Sequence, residues 1–170
     1  NTEYDGTQIK PIDAVAQIAF SDKFNIWAGR FLAPTDRANL YGPYYASHWG
    51  VYEDGVQDGY AFVTTGRSDG VAYWGQFDKV KLSAGVFDVP STKGATPTSG
   101  NEAMYAARAQ VDLWDAEGGY YLNGTYYGDK DLLAFGLSTN VIGDESSYVF
   151  DALMEKKLSN SGVVTLEGEY

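Results

Sequence analysis

Along Ala103–Trp114 (AMYAARAQVDLW), Tyr105, Ala107, Ala109, Val111 and Leu113 fall on one parity and Ala106, Arg108, Gln110 and Asp112 on the other. Successive side chains of a strand point to opposite faces. The segment therefore predicts a two-faced strand, with Arg108 on the wet side and Ala107 and Ala109 on the apolar side. The same period recurs along the chain. Asp13–Phe20 sets Ala14, Ala16, Ile18 and Phe20 against Asp13 and Gln17, and Phe24–Ala33 sets Trp27, Gly29 and Phe31 against Arg30. Gly70–Phe77 carries Val71, Tyr73 and Phe77 on one parity, and Val80–Val89 sets Val80, Leu82, Ala84 and Val86 against Lys81 and Ser83. Asp131–Val141, Tyr148–Lys157 and Val163–Tyr170 complete the set, with Leu133, Phe150 and Leu166 opposed by Ser138, Asp151 and Glu167. That makes about eight strands of roughly 8–12 residues, against the ~9–11 that a tilted strand needs to cross a bilayer. A strand stub at Asn1–Tyr4 precedes them.

The connections are unequal. Ser21–Lys23, Asp78-Lys79 and Leu158–Gly162 are short polar turns, Ile142–Ser147 is a further turn, and Pro90–Asn101 is a Ser/Thr/Gly/Pro loop. Ala116–Lys130 is a long Gly/Tyr connection on the side otherwise served by short turns. Pro34–Asp69 is a long irregular segment holding Tyr41, Tyr44, Tyr45, Trp49, Tyr52 and Tyr60, with Tyr60–Thr64 a short strand inside it. A loop so long and so aromatic is expected to be functional rather than a solvated linker.

Alternation alone fits two architectures. A soluble antiparallel sheet buries one face and wets the other, and its aromatic loops would suit a β-sandwich or jelly-roll carbohydrate-binding module. A transmembrane β-barrel turns the apolar face to lipid and the polar face to water. Aromatic residues near strand ends, and small residues mixed with both signs of charge on the polar parity, favour the barrel. Composition narrows the choice further. High Gly (20) and Tyr (14) with low Met (2) suit strands and turns. No apolar run approaches the ~20 residues of a spanning helix. Zero Cys excludes a disulfide framework and thiolate metal sites. A net charge of −11 argues against a nucleic-acid partner.

The stretches FNIWAGRFLAPTDRANLYGPYYASHW, GRSDGVAYWGQF, KLSAGVFD and VDLWDAEGGYYLNGTYYGDKDLLAFGLS resemble strands and loops of Gram-negative outer-membrane porins. The likeness is nearest to the phosphate-selective (O/P-type) superfamily. It implies a single domain over residues 1–170 that is a section of an antiparallel transmembrane barrel of roughly 16 strands. It further implies residence in the bacterial outer membrane among lipid or lipopolysaccharide, assembly as a homo-oligomer (a trimer), and passive diffusion of small hydrophilic solutes or ions. No enzyme activity and no cofactor are expected.

In such a pore, selectivity resides in charges lining the lumen and in loops folded into it. The candidates are Arg30, Lys81 and Arg108 on the polar parity, Arg37 and Arg67 in the long loop, and Asp112, Asp151 and Glu167 facing them. Either these groups line the path, or the arginines pair with carboxylates across strands and hold the wall together. The 34–69 loop is the candidate constriction. The sole histidine, His48, has no second His or Cys to make a metal site, and neither Glu53–Gly55 nor Asp144–Ser147 matches an EF-hand loop. Glu167 and Glu169 share a face as a glycosidase pair would, a coincidence expected in an acidic β-protein.

Overall fold

The two-faced segments become the strands of one antiparallel sheet. The computed structural model describes residues 2–4, 9–11, 13–41, 67–88, 103–159 and 162–170. The strands are β1 (Thr2–Tyr4), β2 (Ile9–Pro11), β3 (Ala14–Ser21), β4 (Phe24–Leu32), β5 (Arg67–Phe77), β6 (Val80–Asp88), β7 (Ala103–Asp112), β8 (Leu132–Ile142), β9 (Glu145–Leu158) and β10 (Gly162–Glu169), and α1 spans Arg37–Tyr41. β3 to β10 form an eight-stranded sheet in sequential order, each strand paired with its neighbour in the chain. The sheet is not closed, because β3 and β10 are its two edges. Of the expected stub at residues 1–4, Thr2–Tyr4 pairs with β2 in a separate two-stranded sheet.

Tight turns fix the register. Asp78, at φ 59°, occupies the left-handed region that a two-residue hairpin turn demands and that Asp tolerates better than most residues. Gly143, at φ 56°, does the same between β8 and β9, so the strands run closer to this turn than the expected Ile142–Ser147 connection allowed. In a sequential meander the connections alternate between two rims. One rim carries Asp22-Lys23 and Asp78-Lys79, and it also roots the long segment 113–131 through Leu113 N–H to Leu133 O at 2.8 Å. The far rim carries the connections after β4 and β6 and the tight Gly143-Asp144 turn. The short-turn and long-loop asymmetry is therefore interrupted once at each rim.

The two faces are covered in an unusual sense. On the outer face Tyr105 is 58% exposed, Leu137 53% and Leu166 62%, in company with Val71, Leu82, Val86 and Phe150. On the inner face Lys81, Arg108, Gln110, Asp112, Asp151 and Glu155 are all buried. What buries them is the chain itself. Residues 31–41, with α1, and parts of segment 113–131 lie against the inner face and are buried there. Asp36 caps α1, its Oδ1 accepting the Asn39 N–H at 2.9 Å. The apolar core sits between these segments and the sheet, around Trp27, Phe31, Phe87, Met104, Tyr120 and Leu122. The Trp27 and Tyr120 rings lie 4.5 Å apart.

Two expectations are corrected here. Trp27 and Phe31 point inward, with Trp27 opposite the buried Ala72, so Arg30 shares the outer parity of Ile26 and Ala28 rather than the wet one. Arg67 and Asp69 belong to β5, not to the loop. Residues 42–66 of the long loop, with Tyr44, Tyr45, His48, Trp49, Tyr52, Glu53–Gly55 and Tyr60–Thr64, lie outside the described residues, as does Pro90–Asn101.

Arg108 on β7 reaches across β8 to Asp151 on β9, and the intervening residue is Gly136. A Cβ on Gly136 would overlap Arg108 Nη2 and Cζ and Asp151 Oδ1. Gly136→Ala is expected to cost on the order of 3–5 kcal/mol, the scale of breaking a buried ion pair. Equilibrium denaturation of the folded protein measures it, with Gly168→Ala, whose Cβ would meet nothing within 4 Å, as the near-neutral control.

Candidate functional site

The inner face holds a continuous network of charged and polar groups, built from strand alternation on the wall side and from two irregular segments on the other. From β7, positions 108, 110 and 112 project to the same side. The Arg108 guanidinium makes a two-point pair with Asp151, donating through Nη1 to Oδ2 and through Nη2 to Oδ1, the latter at 2.8 Å. It also donates to Thr35 O at 3.1 Å and to Gln110 Oε1 at 3.1 Å. Gln110 Nε2 passes the chain on, donating to Asp112 Oδ1 at 2.9 Å and to Glu117 Oε2 at 2.7 Å.

Arg37, on the first turn of α1, is the centre of the second half. Nη1 donates to Glu117 Oε1 and to Asn123 O, both at 2.9 Å, while Nη2 donates to Glu117 Oε2. Its backbone N–H reaches Asp151 Oδ2 at 3.3 Å, and Nε stands 3.8 Å from Asp151 Oδ1. Glu117 is held from behind: its N–H donates to Asp112 Oδ2 at 2.7 Å, and the Tyr126 hydroxyl donates to its Oε1 at 2.7 Å. Lys81 Nζ donates to the carbonyls of Glu117 and Gly119 at 3.0 and 2.9 Å. Nearby, Glu155 gathers the N–H groups of Tyr126 and Gly128 and the Thr125 hydroxyl.

Electrostatics follow from burial against pairing. Burial alone would raise Glu117, but the Arg37 charge and its hydrogen bonds, helped by Lys81 and Tyr126, hold it at about 2. Burial would lower Arg37, and the Glu117 charge and hydrogen bonds override it, so the guanidinium stays charged. Burial, then the neighbouring Glu117 charge, pushes the Tyr126 hydroxyl up and keeps it a donor. Asp36 is raised, by burial first, against its hydrogen bonds from Asn39 and Thr35.

Of the sequence-derived candidates, Arg37, Lys81, Arg108, Asp112 and Asp151 converge in this network. Glu167, on the inner parity of β10, accepts the Tyr41 hydroxyl at 2.8 Å. Arg67 pairs with Asp13 at 2.9 Å, and Arg30 with Asp69 at 3.5 Å near the far rim. Each of these arginines is ion-paired: Arg30 with Asp69 directly opposite on the adjacent strand, Arg108 with Asp151 two strands away, and Arg67 and Arg37 with Asp13 and Glu117 outside the strands. Glu117, Gln110, Tyr126 and Glu155 were not singled out from sequence; the alternation from Arg108 and Asp151 reaches Gln110 and Glu155, whereas Glu117 and Tyr126 lie where no periodicity operates. Among the described residues no cluster of three His, Cys, Asp or Glu is disposed to hold a metal. Leu40, Trp74, Lys81, Ser83, Arg108, Gln110 and Tyr120 line a cavity of about 10 Å³, room for roughly one water. No family model, curated protein or solved structure matches the chain.

The depressed Glu117 fixes the sign of one pH effect. Its contribution is complete above the ordinary carboxylate value of 4.5 and is lost as pH falls toward about 2. Asp36, being raised, acts in the opposite sense. Between about pH 4.5 and 2, the wild-type protein is expected to lose more stability than Glu117→Gln does. Denaturation midpoints followed by Trp fluorescence across that window check it.

Proposed function

We propose that the chain is a section of the wall of an outer-membrane porin, through which small hydrophilic solutes or ions diffuse passively. The observation that carries the reading is the inversion of the sheet, with apolar side chains outward and exposed and ionised ones inward and buried. In water that arrangement leaves a large apolar surface uncovered, which folded soluble monomers avoid. In a bilayer the outward face meets acyl chains and the inward face is kept from them.

The distribution along the outer face supports the same reading. Phe20, Phe24 and Phe77 stand toward the short-turn rim, where the Phe20 and Phe24 rings lie 5.4 Å apart and Trp114 follows the end of β7. Tyr105 and Tyr148 stand toward the far rim. Between them the exposed positions are apolar, with Leu82, Ala109, Leu137 and Phe150 at one level across four strands. Two aromatic girdles flanking an apolar band of ~25 Å are what an outer-membrane wall requires. β7 and β8, at 10 and 11 residues, have the length to cross it. The Arg30–Asp69 pair on the outer parity lies close to the far rim, at headgroup level in this reading. Unpaired edges are not tolerated in lipid, so in this reading the edges of β3 and β10 are covered by further pairing, as in the barrel of roughly 16 strands that the resemblance implies. Residues 33–41, folded against the inner wall, narrow the path, and the outer face meets lipid or a sister subunit of a trimer.

Extraction and conductance test the proposal together. The protein is expected to require detergent for release from membranes and to give discrete conductance steps when the full chain is reconstituted into a planar bilayer. Release as a soluble monomer without detergent would contradict it.

A further inference from the structure

Residues 33–41 and 113–131 reach the inner face from opposite rims, and the geometry points to Glu117 as the residue that sets how far the first segment projects into the solute path. The inference rests on the porin reading. α1 has five residues, far below the length at which a helix stands alone, so its contacts decide where it lies. Most of those contacts are to the wall: Arg108 to Thr35 O, Asp151 to the Arg37 N–H, and Glu167 to the Tyr41 hydroxyl. Glu117 and Asn123 O are different in origin. They come from the segment rooted at the other rim, and they take the Arg37 side chain at 2.9 Å each.

Glu117 is already fixed by groups other than Arg37. Asp112 holds its N–H, while Gln110 and Tyr126 each donate to one of its carboxylate oxygens. Its two oxygens are thereby oriented to receive the two Nη groups of the guanidinium end-on, a two-point pair that adds geometric specificity to charge. Arg37 and Glu117 are buried at 1% and 0% exposure, so neither presents charge to a permeating solute. Their role is to position. Uncoupling the pair leaves a buried charge on each side without its partner, a state that drives the segment away from the wall. Glu117 is therefore a positioning residue acting through Arg37: with the pair closed, segment 33–41 is pinned across the inner face, and with it open the segment is released.

The test uses the full chain folded in detergent and reconstituted into planar bilayers, with native β structure checked by circular dichroism and heat-dependent gel migration. Glu117→Gln and Arg37→Gln are each expected to change unit conductance in the same direction and by similar amounts. The double variant should change it no further, because both act through one contact. Trypsin should cleave after Arg37 in Glu117→Gln and not in the wild type. If either variant fails to fold, Tyr126→Phe, which removes one donor from Glu117 and leaves Arg37 in place, should shift conductance the same way by less. A wild type that conducts, with folded variants that conduct identically and keep Arg37 protected, overturns the role of Glu117 and leaves the porin reading standing. A wild type that never conducts removes the porin reading, and the width-setting role falls with it.

Discussion

The rest of the structure depends on the cost of an ionised group away from water. Arg108 and Asp151 lie at 5% and 1% exposure on the inner face, and such a pair is tolerated where most of its remaining donors and acceptors are also occupied, Arg108 Nε being left without a partner. Thr35 O and Gln110 take the outer edge of the Arg108 guanidinium, and the Arg37 N–H takes the remaining room at Asp151. Each satisfied group recruits another residue, until segments from both rims are bound to the wall. Removing one partner would leave the other charged and uncompensated. That asymmetry makes the interior cooperative.

This interior has a spatial consequence for the sheet. Three elements in a row, β7, β8 and β9, must bring a guanidinium and a carboxylate together over the middle strand, and they do so because position 136 has no side chain. With the inner face committed to ions and to the packing of Trp27, Phe31 and Tyr120, no second layer covers the outer face among the described residues. The outer face is apolar throughout its middle, where Leu82, Leu137 and Phe150 lie level, and carries further aromatic side chains toward its rims. The two faces thus call for different surroundings, which the proposed bilayer-spanning wall would supply together.

Much of this was legible in the sequence, and the failures have physical causes. Period-two alternation put Arg108, Lys81 and Asp151 on the inner face, because each of those strands is apolar on one parity only. β4 is apolar on both, with Ile26 and Ala28 opposite Trp27 and Phe31, so its facing is decided by pairing with β5 and by Tyr120, neither visible in the strand itself. Arg30 was misplaced for that reason. The end of the long loop was misjudged because RSD at Arg67–Asp69 is polar throughout and gives no apolar period to extend β5. Glu117 lies in the irregular segment 113–131, where no period marks it, and its ion-pair partner Arg37 comes from α1, 80 residues away in the chain.

The central claim is that the outward parity faces lipid and the inward parity does not. With no native cysteine, single-site variants along β6 can carry a spin label at Leu82→Cys, Ser83→Cys or Ala84→Cys in the reconstituted protein. Alternation is expected: at 82 and 84 the label collides with oxygen dissolved in acyl chains and is shielded from a water-soluble relaxant, while at 83 oxygen contact falls. Water exposure at all three positions, with no period of two, would contradict it.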